Sequence, residues 1–111
     1  MIDFVNIGGK SRPVKFGMNA LRVFTKETGV KMAEIADLEF MKNQDLETTF
    51  TLLFLGLREG MRAEKQAVDF GIEDVCDWLD EEGKVEELFN VFTNQWAGNP
   101  TKPVEGQGTG I

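Results

Sequence analysis

The sequence predicts an α+β fold that is mainly α-helical, in which an N-terminal β-hairpin is followed by about four helices. Gly8 and Gly9 separate two short segments in which apolar and polar residues alternate, a pattern typical of a hairpin with a tight turn. Beyond this region, apolar residues recur at intervals of three and four, which is the period of an amphipathic helix. An all-α fold is the alternative.

The predicted hairpin occupies residues 1–16. Ile2 and Phe4 alternate with polar residues in the first strand, and Val14 alternates in the same way in the return strand. Because Pro13 has no N–H to donate to a ladder of hydrogen bonds, the return strand is expected to lie at the edge of its sheet.

Two helical segments of different strength come next. The first covers residues 18–28, and Gly29 follows at the position where a left-handed C-terminal cap is expected. The second, at residues 31–41, is weaker and is predicted as a single turn or a loop. Its apolar residues still have helical spacing: Met32, Ile35 and Leu38.

The longest predicted helix runs from Gln44 to Glu59, with Asn43 as its N-cap and Gly60 at its end. Its apolar residues cover most of its circumference, which is typical of a central, buried helix. These residues are Leu46, Phe50, Leu53, Phe54 and Leu57.

Residues 61–71 are predicted to connect this helix to two more, at residues 72–82 and 84–97. In the first of these, Ile72, Val75 and Leu79 are expected to face the core, with Trp78 beside them. The second carries an apolar face made of Val85, Leu88, Phe89, Phe92 and Trp96.

The domain organisation follows from these elements and from a change in composition near the C-terminus. Residues 1–97 are predicted to form a single globular domain. Residues 98–111 contain four glycines and two prolines and no aromatic residue, so a flexible tail is expected there.

The net charge of the chain is −7, and the excess acid lies in one segment. Residues 1–72 carry ten acidic and ten basic side chains, and residues 88–111 carry one of each. Residues 73–87 carry eight acidic side chains and one basic one, Lys84. Because such a segment repels phosphate groups, neither nucleic acid nor a membrane is expected as a partner.

The residue types exclude most catalytic chemistry. Without any histidine, the chain has neither the commonest general base nor the usual zinc and iron ligand. Cys76, the single cysteine, has no basic neighbour in sequence to lower its pKa and is predicted to be a half-buried apolar residue. The chain is therefore not expected to be an enzyme, and no catalytic, cofactor-binding or metal-binding residue is assigned.

The N-terminus has no basic region followed by an apolar run, so a signal peptide is not expected. The longest apolar run, at residues 52–57, is far shorter than a membrane span. A lone cysteine gives no sign of an oxidising compartment. These patterns together favour a cytosolic protein.

Asp77, Asp80 and Glu81 share one face of a predicted helix at positions i, i+3 and i+4. This spacing could ligate a hard cation or provide an acid–base pair. A solvated helix face is the commoner meaning of such a run of charge. Because like charges at this spacing slightly destabilise a helix, we expect the face to contact the basic side chains of a partner.

Phe89, Phe92 and Trp96 lie at positions i, i+3 and i+7 of the last predicted helix and so point the same way. They could be part of the core, or they could line a groove that holds a helix of a partner. Both interpretations stay open at this stage. Trp96 is expected to be the least needed for the core, because it lies nearest the end of the helix.

Three segments, in order, resemble the tail assembly chaperones of long-tailed (siphovirus-type) bacteriophages. The first is VKFGMNALRVF at 14–24 with the stop at Thr28–Gly29, which is similar to the opening of those proteins after their short hairpin. LFLGLREG at 53–60 resembles their second helix, and IEDVCDWLDE at 72–81 resembles their acidic, tryptophan-containing third element. The likeness spans roughly residues 2–90.

The resemblance implies a non-catalytic protein of the host bacterial cytoplasm that is absent from the mature virion. It implies binding to the tape-measure protein, which it keeps soluble, and recruitment of tail-tube subunits. In many such genes a ribosomal frameshift produces a longer second product, through which the tail-tube protein would be reached. No cofactor is implied, and a homo-oligomer is compatible with the pattern.

Two other functions are compatible with the sequence. An acidic regulatory protein could imitate the phosphates of DNA and block a DNA-binding protein, although seven excess charges in one short helix are few for a duplex mimic. A structural component of the virion, at the head–tail connection or in the tail, is the other alternative.

Overall fold

The computed structural model describes residues 2–97 and confirms the predicted α+β class. Within these residues an antiparallel two-stranded hairpin precedes six helices and a closing π-helical turn, Thr93–Ala97. The strands are β1 (Asp3–Ile7) and β2 (Lys10–Val14). The helices are α1 (Met18–Thr28), α2 (Met32–Ile35), α3 (Leu38–Lys42), α4 (Leu46–Ala63), α5 (Ile72–Glu82) and α6 (Val85–Phe92).

The hairpin turn is made by the two glycines that predicted it. Gly8 and Gly9 have φ angles of 65° and 86°, which residues with a side chain rarely adopt. Pro13 lies opposite Phe4. In a two-residue hairpin this is a pair that exchanges no backbone hydrogen bond, so the missing N–H of the proline leaves the ladder intact.

The buried face of β1 is not the one that carries Ile2 and Phe4, the alternating residues by which this strand was predicted. Val5 and Ile7 are buried, whereas Phe4 is 56% exposed. Apolar residues stand at both even and odd positions of this strand, so the alternation alone does not identify the inward face. Contact with the helices decides it.

Helix α1 begins and ends where the sequence predicts, and Gly29 caps it with a φ angle of 80°. The weaker segment that follows forms two short helices, α2 and α3, instead of a single turn. Asp37 separates them, and its carboxylate accepts a hydrogen bond of 3.2 Å from the N–H of Phe40. This N-cap restarts the helix after one break.

Helix α4 differs from its prediction at both ends. Its N-cap is Asp45 and not Asn43, and the Asp45 carboxylate accepts a hydrogen bond of 2.8 Å from the N–H of Thr48. This bond favours the charged form and lowers the pKa of Asp45. At the other end the helix continues through Gly60 to Ala63.

Gly56 and Gly60 lie on the face of α4 that meets the hairpin. The N–H of Lys15 donates a hydrogen bond of 2.9 Å to the carbonyl of Gly56. A β-carbon on Gly56 would strike the ring of Phe16, and one on Gly60 would strike the carbonyl of Pro13. These glycines therefore allow the hairpin backbone to lie directly on the helix.

The last helices follow the prediction up to a point. Helix α5 has its predicted bounds, and Gly83 caps it with a φ angle of 67°. The predicted single helix at 84–97 is instead α6 followed by the π-helical turn. The tail predicted at 98–111 lies outside the described residues.

The core surrounds α4, whose middle turns are buried on nearly all sides. The hairpin and α1 pack against one side of it, and α5 and α6 complete the core. Among residues 2–97, no helix is long and apolar enough to cross a membrane.

Candidate functional site

An open groove of about 540 Å³ lies between α3, the start of α4, and α6. Met41 forms its buried floor, and half-buried Val85 and Phe89 form one wall. Thr49 contributes from the facing wall on α4. The other lining residues are exposed: Lys42, Gly83, Glu86 and Asn90. The groove is thus apolar in its depth and polar at its rim.

The sequence of α6 divides its apolar face between the core and this groove. Leu88 and Phe92 are fully buried, whereas Val85 and Phe89 lie at the edge of the same face and remain half-buried. Both pairs are spaced i, i+4, so each forms its own stripe along the helix. One stripe holds α6 on the domain, and the other faces the groove.

Phe92, one of the three aromatic residues predicted to contact a partner, is part of the core. Its exposed fraction is 0%, and its ring packs edge-on against that of Phe16 at 5.3 Å between centroids. It also contacts the ring of Phe89, at 5.5 Å. The folded domain therefore does not present Phe92 to a partner, and the core interpretation holds for this residue.

Trp96 does not share the groove with Phe89. It is half-buried, packs against the core, and does not line the groove. The reason is the π-helical turn, in which hydrogen bonds span five residues instead of four, so the period of 3.6 residues no longer holds. Of the three aromatic residues predicted to share a face, Phe89 lines the groove, Phe92 is fully buried and Trp96 is half-buried outside the groove.

Gln95 was missed in the sequence, because a glutamine near the end of a helix carries no pattern that marks it as buried; it lies in the π-helical turn and is only 7% exposed. Its Oε1 accepts a hydrogen bond of 2.7 Å from the N–H of Phe16. Its Nε2 donates to the carbonyl of Val14 at 3.1 Å and to the carboxylate of Asp3 at 2.8 Å. One buried amide therefore joins the hairpin to the end of the last helix.

Arg12 was also missed, because an arginine in a strand usually lies in solvent. Here it is only 5% exposed and lies against the ring of Trp78, at 4.2 Å from the ring centroid. Its Nε and Nη2 donate to the carbonyls of Ile7 and Gly8 at 2.8 and 3.1 Å. The side chain thus fastens the hairpin turn to α5 and has a structural role.

Asp77, Asp80 and Glu81 are all exposed on α5, as predicted for a solvated face. Elsewhere in the acidic segment some carboxylates have local partners. Glu82 accepts from the N–H of Gly8 at 3.0 Å, and Glu87 pairs with Lys84 at 3.3 Å. Within residues 2–97, no group of acidic and cysteine side chains has the arrangement of a metal site.

Cys76 is half-buried on α5, as predicted. Burial raises the pKa of its thiol, and the nearby carboxylates of Glu47, Asp77 and Glu73 raise it further. A thiol that stays protonated is a poor nucleophile.

The groove and the acidic segment adjoin each other. Gly83, between α5 and α6, and Glu86, in the first turn of α6, both line the groove and belong to residues 73–87.

Comparison of the chain with protein-family models, curated proteins and solved structures finds no match. The chemistry of this surface is therefore the main guide to function.

Proposed function

We propose that this chain is a tail assembly chaperone of a long-tailed bacteriophage. It binds the tape-measure protein in the host cytoplasm, keeps it soluble and helps to recruit tail-tube subunits. The observation that carries the proposal is the apolar groove at Phe89, whose lining includes the exposed carboxylate of Glu86 from the acidic segment 73–87.

The resemblance in sequence supports the same proposal. Its three segments fall, in order, on the passage from β2 into α1, the second half of α4, and α5. The glycines at 56 and 60 in the second segment are the ones that meet the hairpin. The segments thus contribute to the contacts that hold the fold together.

The physical requirements of such a chaperone are met by this surface. A tape-measure protein is long, helical and partly apolar, so it needs a partner that covers apolar stripes before the tail tube does. A groove with an apolar floor and walls can cover such a stripe. A net charge of −7 then favours solubility of the complex.

Within this proposal the contact residues differ from those predicted from the sequence. Phe89 remains the apolar anchor, and Asp77, Asp80 and Glu81 remain candidates for contact with basic side chains. Phe92 is withdrawn because it is buried in the core. Trp96 lies outside the lining of the groove, so Phe89 replaces it as the residue to test.

The test is co-expression in bacteria with the tape-measure protein of the same genome. We expect the tape-measure protein to be insoluble alone and soluble with the chain. Phe89→Ala should reduce the soluble fraction severalfold, because apolar anchors dominate such interfaces. Phe4→Ala is the matched control, since Phe4 is exposed on the hairpin and does not line the groove.

Two results would contradict the proposal. One is a tape-measure protein that stays insoluble in the presence of the unmodified chain at comparable expression. The other is stoichiometric presence of the chain in purified virions, which would favour a structural component of the tail or of the head–tail connection.

A further inference from the structure

We infer that the groove binds a cationic amphipathic helix, with apolar side chains on one face and lysine or arginine beside them. This inference rests on the proposed function and names the chemistry of the tape-measure segment that is bound. Three features of the groove carry it: its helical walls, the spacing of its apolar residues and the sign of the charge around it.

The walls favour a helical occupant over an extended one. None of the described residues that line the groove belongs to a strand. An extended segment gains much of its affinity by adding to a sheet edge, and here it would find no edge to join. A helix satisfies its own backbone hydrogen bonds and needs only apolar contact from the groove.

The apolar residues have the spacing that suits a helix laid along the groove. Val85 and Phe89 are one turn apart on α6. On the facing wall Leu46 lies one turn before Thr49 on α4, and Leu46 is 72% exposed. Leu46 therefore extends the apolar surface past the groove, in a position to contact a second turn of a bound helix.

The charge around the groove favours a cationic partner. Residues 73–87 carry eight acidic side chains and one basic one, and Glu86 from this segment lies in the groove wall. Glu47 at the start of α4 is exposed as well. Among the described lining residues Lys42 is the one cation and Glu86 the one anion, so the excess negative charge comes from exposed carboxylates next to lining elements, Glu87 on α6 and Glu47 on α4. Lysines and arginines that flank an apolar stripe would complement this rim.

The same charge argues against a second copy of the chain as the occupant. Each copy has a net charge of −7, so two copies would bring like charges together at this rim. If residues 84–97 of one copy bound the groove of another, they would bring Glu86 and Glu87 with them and add to this repulsion. A positively charged partner avoids this repulsion.

The probe is a synthetic peptide of about 18 residues, or five helical turns, with leucine on one face and lysine on the other. It is titrated into the full chain, and the amide signals are followed by NMR. We expect the largest shifts at Thr49, Val85 and Phe89. Three peptides serve as controls: glutamate in place of lysine, a scrambled order of the same residues, and a central proline.

Each control separates one requirement. The glutamate peptide should bind at least about tenfold more weakly at low salt, and added salt should narrow the difference because screening weakens charge contacts. The scrambled and proline peptides should lose the groove-specific shifts. Equal binding of the lysine and scrambled peptides would overturn the inference, because it would show attraction to charge without an amphipathic face.

A pair of variants locates the site without disturbing the core. Asn90 is exposed at the groove rim, and Asn94 is exposed in the π-helical turn outside the groove. Asn90→Lys should weaken binding of the lysine peptide by at least about fivefold, because it adds bulk and like charge at the rim. Asn94→Lys adds the same charge at a distance and should have a much smaller effect. Equal effects would place the contact elsewhere.

The outcomes for the inference and for the proposed function can be told apart. Solubilisation of the tape-measure protein without groove-specific peptide binding would overturn the inference and leave the proposed function standing. Groove-specific peptide binding without solubilisation would overturn the proposed function alone. Sedimentation that shows a dimer disrupted by Asn90→Lys and not by Asn94→Lys would assign the groove to a second copy and would overturn the inference.

Discussion

Gln95 shows how much a single polar side chain can hold in this fold. It is 7% exposed, and its amide bonds to the backbone of Val14 and Phe16 and to the side chain of Asp3. Those backbone groups lie where the chain leaves β2 on its way to α1. If the amide were removed, these backbone groups would stay buried near the end of α6 and would lose their hydrogen bonds to Gln95.

Gln95→Ala should therefore lower the free energy of unfolding by about 2–3 kcal/mol, because it leaves buried backbone groups unsatisfied. The measurement is urea denaturation followed by circular dichroism. Asn94→Ala is the matched control, since it removes an exposed amide from the adjacent position. A loss below about 0.5 kcal/mol for Gln95→Ala would mean that water replaces the side chain without cost.

The two phenylalanines of α6 should differ in how much they contribute to the free energy of unfolding. Phe92→Ala should lower the free energy of unfolding by about 3–5 kcal/mol, because it opens a cavity beside Phe16. Phe89→Ala should cost less than half as much, since Phe89 is only half-buried at the groove. Both values come from the same denaturation experiment, and equal losses would show that Phe89 belongs to the core.

At the scale of elements, α4 is built around its contact with the hairpin. A glycine inside a helix ordinarily costs about 1 kcal/mol relative to alanine, yet Gly56 and Gly60 both lie within α4. They are spaced i, i+4 and so open one side of the helix to the backbone of β2 and the residues after it. The close contact compensates for the lower intrinsic helicity.

Gly60→Ala should consequently destabilise the protein, although alanine is the better helix former. Its β-carbon would meet the backbone of Pro13, which cannot move without displacing the hairpin. We expect a loss of about 2 kcal/mol or more in the free energy of unfolding. Gly71→Ala is the control, because the space around Gly71 is open. A stabilised Gly60→Ala variant would show that the hairpin can shift on the helix.

At the scale of the whole molecule, the beginning and the end of the described chain close on each other. The hairpin is fastened to α4 through backbone contact, to α5 through Arg12 and Trp78, and to the π-helical turn through Gln95. The last of these links residues 79 or more positions apart in sequence. The hairpin is therefore an integral part of the domain.

Truncation at two points tests this closure. A chain that ends after Asn94 lacks Gln95 and Trp96 and should melt at a temperature lower by several degrees, since a few kcal/mol of stabilisation is lost. A chain that ends after Ala97 should melt almost as the full chain does, because glycine- and proline-rich termini rarely pack. A large decrease for the chain that ends after Ala97 would show that residues 98–111 contribute to the stability of the domain.

The sequence by itself determined the fold class and the elements whose limits are local. The C-terminal ends of α1 and α5 and the turn at Gly8 and Gly9 follow from glycines that adopt positive φ angles. Such signals act over a few residues, so they need no knowledge of the rest of the chain. The concentration of acidic side chains in residues 73–87 is also a local property, so the sequence alone shows it.

Only the tertiary structure decided which of several apolar faces is buried. It selected Val5 and Ile7 over Phe4, placed Phe92 in the core and Phe89 at the groove, and turned Gln95 inward. Each of these choices depends on a surface that arrives from a distant part of the chain. β1 and α6 carry apolar residues on more than one face. The buried face is the one that the neighbouring elements can cover while every buried polar group keeps a hydrogen-bond partner.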